Sequence, residues 1–305
     1  MAKKKKKHSN VTTNRRVLLE LFTEQDLELW SSRSQDAQRY SDYVYFDLER
    51  QRAAHHDQLC EALRSSGSIE IDLEHWARVC DYRWSLEPLS PAGSLKGIGG
   101  RFNIGSDLDR ARGQQFPALY IAENVETAYF EFFGGRPETR GAGGLSLQEL
   151  ALRRKTSFVT FALRGRAENV LDLRSASTIR DFAKIIAKFE LSSDTRRFAR
   201  KINLPLRALM RTARDVHKRL LAPPKEWRTE PQLFGIPAPN QIFSRYARGT
   251  GFEGVLYPSQ QGGTLCLAVY PENLRNGSTR IEVVGGAPPA ARCLVMDKDN
   301  LCLVP

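Results

Sequence analysis

Gly97-Ile98-Gly99-Gly100-Arg101-Phe102-Asn103-Ile104-Gly105 is the densest run of unusual residues in this chain. It is not a dinucleotide fingerprint, because Gly97-x-Gly99-x-x requires a glycine at 102 and finds Phe102, with no strand before it and no clear helix after. The loop instead lets a glycine backbone approach a ligand, with one guanidinium projecting from its middle. That suits a phosphate or pyrophosphate. On this segment alone, a surface turn with Arg101 in a salt bridge reads equally well.

Moving outward, Pro117-Ala118-Leu119-Tyr120-Ile121-Ala122 reads as a short strand and Glu123 to Phe133 as a helix capped by Asn124, with Ala128 and Phe132 on one face. Glu131 then lies among Tyr129, Phe130, Phe132 and Phe133. A surface glutamate is the ordinary reading; an aromatic setting is also how catalytic carboxylates are held and tuned. Further on, Gly254-Val255-Leu256-Tyr257-Pro258-Ser259-Gln260 is a buried-type strand ending on a serine. Ser259 is no GxSxG nucleophile, and the five histidines offer no obvious general base. Its hydroxyl suits a hydrogen bond to a ligand, and equally a cap or turn.

The remainder sets the frame. Arg15 to Trp30 and Gln35 to Ser66 show helical spacing, Ser65-Ser66-Gly67-Ser68 breaks it, and Asp72 to Val79 reads as one more short helix. Strands are expected at 118–122, 158–163, 169–173, 254–257 and 265–270, and helices at 178–190 and 194–217. The fold class is α+β, with a helical N-terminal region: a basic disordered tail over 1–14, helices over 15–75, an α+β domain over 76–275 and a C-terminal extension over 276–305. Lys3 to Lys7 supply five of the +11 net charges. Arg196, Arg197, Arg200, Lys201, Arg207, Arg211, Arg214, Lys218 and Arg219 lack interleaved aromatics, so a solvated helix surface is expected rather than a nucleic-acid face. Five scattered cysteines form no metal-ligand spacing and imply reduced thiols, and Cys266 reads as a small core residue. With no long apolar run and no signal-type start, a cytoplasmic protein without membrane contact is expected.

The order Gly-Gly-Arg-Phe-Asn, Leu-Tyr-Ile-Ala, a glutamate eleven residues beyond the tyrosine, and Tyr-Pro-Ser far downstream resembles the RES domain. Leu86 to Pro91 and Pro239-Asn240-Gln241 support the match. The resemblance covers about residues 80 to 275. It implies a fold similar to ADP-ribosyltransferase toxins, an NAD⁺-degrading toxin of a toxin–antitoxin pair, and Arg101, Tyr120, Glu131 and Ser259 as its arginine, tyrosine, glutamate and serine. The chain departs from the family at residues 106–116, which lengthen the loop, at the enlarged basic segment 175–235, and at its first 75 residues.

The implied chemistry is scission of the nicotinamide–ribose bond by a glycohydrolase or phosphorylase, with NAD⁺ as substrate and no metal. Nicotinamide in NAD⁺ is already a cationic leaving group, so one carboxylate suffices where ordinary glycosidases need two. Glu131 is expected to stabilise the oxocarbenium-like ribose, Arg101 to hold pyrophosphate or an acceptor phosphate, Tyr120 to face the nicotinamide ring and Ser259 to orient the ribose or the amide. Gly100 and Asn103 complete the expected binding set. Transfer of ADP-ribose to a macromolecule is an alternative, and a basic nucleic-acid-binding protein with an inactive domain is another. A cognate antitoxin and a homodimer are the expected protein partners. The N-terminal helices read as a buttress, a dimerisation element or a cover over the site.

Overall fold

The computed structural model describes residues 23–108, 113–134 and 157–303. The basic tail, the start of the first expected helix at 15–22 and part of the 106–116 loop lie outside the described residues.

Helix α1 (Glu24–Ala54) opens with a capping box between Thr23 and Asp26 and runs unbroken to His55, where α2 (His56–Arg64) begins. The expected break near residues 31–34 is therefore absent, because serines on an exposed helix face are tolerated when no proline or glycine interrupts the hydrogen bonding. Leu59, Cys60 and Leu63 of α2 are buried in the main core together with residues of the sheet. Asp47 on α1 accepts hydrogen bonds from Thr195 Oγ1 at 2.6 Å and Ser192 N at 2.8 Å, tying that helix to the basic segment.

The helix expected at Asp72 to Val79 is instead a pair of strands, β1 (Ile69–Asp72) and β2 (Ala77–Asp81). Leu73, Trp76 and Ala77 imitate helical spacing, but pairing with a strand about 80 to 100 residues away decides the conformation. That partner is β4 (Phe158–Asp172), one 15-residue strand where two short ones were expected. Gly165 allows it to bend: its φ is +132°, and a Cβ there would collide with the Arg280 carbonyl.

β2 pairs with β3 (Leu119–Ala122) and with β4; β3 pairs with β6 (Leu265–Val269), β6 with β5 (Gly254–Pro258), and β5 with β4. This circuit closes a ring of five strands in an eight-stranded mixed sheet, with β4–β5 as the parallel pair. β7 (Arg280–Gly285) and β8 (Val295–Met296) extend the sheet from β4, so the segment expected as a C-terminal extension contributes two strands to it. Between β3 and β4, α3 (Val125–Phe133) begins at Asn124, whose Oδ1 accepts from Thr127 N at 2.8 Å, and ends at Gly134 in the left-handed region.

The helix expected over 194–217 is two helices. α4 (Arg180–Ile186) precedes α5 (Ser193–Lys201), and α6 (Ala213–Leu220) follows a break where Asn203 takes φ +55° and Pro205 withdraws a backbone donor. A single turn α7 (Pro224–Trp227), α8 (Thr229–Phe234) and α9 (Pro239–Gly249) lead back to β5. Much of the basic surface is paired, as in Arg196 and Arg211 with Glu190 and Arg207 with Glu230. Among the described residues no helix is long and apolar enough to cross a membrane. The five cysteines are free thiols, and burial pushes the Cys266 thiol well above its usual range.

Candidate active site

The glycine loop is held from below by buried amides. Asn103, fully buried, accepts from Gly100 N at 2.8 Å and Tyr120 Oη at 2.9 Å through Oδ1, and donates through Nδ2 to Ser94 O and Phe116 O at 2.8 and 3.2 Å. Its hydrogen-bonding capacity is used by the protein itself, and it does not line the cavity above. The expectation that Asn103 touches a ligand is therefore corrected: it shapes the loop. Gln241, at the start of α9, donates to the carbonyls of Ile98, Gly100 and Asn103 at 2.8 to 3.1 Å, which explains the Pro239-Asn240-Gln241 motif.

Tyr120, on β3, accepts from Phe102 N at 2.8 Å while donating to Asn103, and desolvation pushes its phenol far above the usual range. The hydroxyl is engaged by the loop, and Tyr120 also lines the cavity. Gly100 is required here, because a Cβ would strike the Tyr120 hydroxyl.

α3 docks through Thr127 Oγ1, which accepts from Thr264 N at 3.0 Å, on the turn that follows β5. That contact brings Glu131 against Ser259 at the strand end. Glu131 Oε1 accepts from Ser259 Oγ at 2.6 Å and Gln260 N at 3.3 Å, while the Ser259 hydroxyl also lies 2.6 Å from the Gly262 carbonyl. Ser259 itself is not among the cavity-lining residues; its hydroxyl reaches the cavity through its contact with Glu131.

These elements surround a cavity of about 460 Å³ lined by Gly100, Arg101, Tyr120 and Glu131, with Phe132, Phe133 and Trp227 as further aromatic wall. Arg101 is 5% exposed, so the surface salt-bridge reading fails. Its Nη1 donates to the carbonyls of Leu220 and Ala222 at 3.3 and 2.6 Å, and its guanidinium lies about 6 Å from the rings of Trp227 and Tyr257.

Two cations were missed by sequence reasoning. Arg78, also buried, donates to Pro88 O and Ser90 O at 2.7 and 2.9 Å, so the Leu86–Pro91 motif is its carbonyl cradle. Arg228 stands beside Trp227, with its pKa lowered by burial and then by the Arg101 charge. Arg78 was hidden in a supposed helix, and Arg228 was one arginine among many in a basic stretch. The Trp227-Arg228 pair, an aromatic beside a cation, was the available signal.

Among the described residues, the cavity therefore carries three arginines and one acid, Glu131. None of the three arginines has a carboxylate partner there. Arg78 and Arg101, held away from water by carbonyls alone, keep their charges uncompensated while Arg228 stands exposed at the edge, and an anion is what would complete them.

The fold and the cavity together define an α+β protein with a cationic, aromatic-walled cavity around one carboxylate. The profile of the RES domain matches residues 75–290, and the chain belongs to that family. Among solved structures, the MbcT–MbcA toxin–antitoxin complex of M. tuberculosis is similar at 17% identity, with a TM-score of 0.39, over 75% of this chain and 90% of that one. None of the curated proteins matches the chain.

Proposed function

We propose that this protein consumes NAD⁺ by breaking the bond between the nicotinamide nitrogen and C1′ of its ribose, as the toxin of a toxin–antitoxin pair. The observation that carries the reading is the charge pattern of the cavity: one carboxylate among aromatic rings, facing arginines without acidic partners. NAD⁺ is complementary to it, with an anionic pyrophosphate and a cationic ring on a single molecule.

In this reading Arg101 and Arg228 hold the pyrophosphate and the ring of Tyr120 packs on nicotinamide, an attraction worth roughly 0.5–2 kcal/mol. Nicotinamide departs neutral, taking the bonding pair. Glu131 faces the positive charge that develops on the ribose, and Ser259 with Gln260 N keeps one of its oxygens in place. Water then gives ADP-ribose and a proton, and inorganic phosphate would give ADP-ribose 1″-phosphate. A cognate antitoxin is the proposed protein partner, by family membership.

Proton NMR of NAD⁺ incubated with the protein, with and without phosphate, tests this. Free nicotinamide with ADP-ribose or its phosphate is expected, and Glu131→Gln should lower turnover at least about 100-fold, the loss associated with a transition-state electrostatic partner. Unchanged turnover in that variant would rule out the proposed centre. Mass added to a macromolecule in place of a free product would reassign the acceptor.

A further inference from the structure

A second cavity, of about 570 Å³, lies between the N-terminal helix and the basic helices, separate from the one described. Most of its wall is apolar, including Leu48 of α1, Ile186 of α4, Met210, Val216 of α6 and Phe243 of α9. Interiors of folded domains are close-packed, and a space this large falls within the range of small-molecule sites rather than packing defects.

The polar groups on its rim are unequally engaged. Asp215 accepts from Thr212 N at 3.0 Å in capping its own helix, Glu230 pairs with Arg207, and Arg52 pairs with Glu49 at 2.7 Å. Glu226 is exposed at the edge. Arg219, half-buried, has no carboxylate partner among the described residues.

The wall between the two cavities is one short segment, residues 219–228. Arg219, Leu220 and Glu226 line the second cavity, while Pro224, Trp227 and Arg228 line the first. The Leu220 carbonyl accepts from Arg101, so the residue whose side chain closes one cavity holds the guanidinium of the other.

We propose that the second cavity binds an amphiphilic anion, its apolar body among the helices and its carboxylate or similar head at Arg219, and that occupancy moves the 219–228 wall and with it Arg101. Neither the site nor the wall movement rests on the NAD⁺ reading.

The test uses the full chain and two probes. The fluorescence of 8-anilinonaphthalene-1-sulfonate should rise saturably and be reversed by dodecanoate below its micellar concentration, but not by dodecylamine. Met210→Trp, which fills the cavity, and Arg219→Glu should each weaken dodecanoate at least tenfold without lowering the thermal melt of the protein. Wall movement is read as a dodecanoate-induced shift in Trp227 emission, isolated by subtracting the Trp227→Phe protein. Unsaturable probe fluorescence, equal displacement by the amine, or parent-like binding in both variants overturns the site. Saturable binding that leaves Trp227 emission unmoved overturns the coupling. Because neither readout uses NAD⁺, failure of the NAD⁺ reading would leave both results standing, and turnover without dodecanoate binding would defeat this proposal alone.

Discussion

The Tyr120 hydroxyl serves the glycine loop from both sides, accepting from Phe102 N and donating to Asn103, while the residue also lines the cavity. Tyr120→Phe separates the two duties. It should keep the aromatic face but leave Phe102 N without its acceptor, lowering stability by about 1–3 kcal/mol in urea denaturation. Arg228 divides binding from chemistry in another way. On the proposed reading, Arg228→Ala should raise KM for NAD⁺ at least tenfold with a smaller change in kcat, and should leave the cleavage of nicotinamide riboside, which has no pyrophosphate, unaffected. Equal losses on both substrates would remove Arg228 from phosphate binding. At this scale the sequence was readable where a residue's setting is local: Glu131 could be placed among aromatics because its neighbours on α3 supply them. Asn103 could not be separated from a ligand contact, since its partners Ser94, Phe116 and Tyr120 converge only on folding.

Among the elements, α3 was legible from its Asn124 cap and its run to Phe133, because the cap lies within the helix's own hydrogen-bonding reach; Gly134 supplies the stop. β1 and β2 were misread because strand pairing is decided at long range, and that error concealed Arg78. The N-terminal helices show the same dependence. α1 has exposed Leu27, Leu29 and Trp30 near its start and is pinned further along by Asp47. Burial raises the Asp47 pKa, but hydrogen bonds from Thr195 and Ser192 outweigh it and hold the carboxyl below the usual range. A depressed carboxyl contributes stability above its ordinary value of 3.8 and loses it as pH falls through the folded value. Asp47→Asn should therefore lower the melting temperature at pH 7, and the gap to the parent should close as pH falls below about 3.8. An equal gap at pH 3 and pH 7 would show that shape, and not charge, holds α1 to α5.

At the scale of the whole molecule, the buried Glu253 works against stability. Glu253, 4% exposed, packs against Gly277 with its Oε2 lacking a hydrogen-bond partner; burial raises its pKa, and the nearby Glu168 charge adds to the shift. A carboxyl raised in the folded state favours folding while protonated, so this contribution fades as pH climbs from the ordinary value of 4.5 through the folded one. Glu253→Gln should melt above the parent at pH 7 to 8, with the difference shrinking toward pH 4; a variant that melts lower at every pH would refute this. The closed ring of strands carries a different consequence, one of timing. Ring closure needs β5 and β6, and Glu131 meets Ser259 only through the turn between them. A ribosome extending the chain by about 5–20 residues per second would release Glu131 roughly 6–25 s before Ser259. Over that interval a nascent chain holds Glu131 without Ser259 beside it, so on the proposed reading the centre is assembled only after β5 and the turn that follows it have been made.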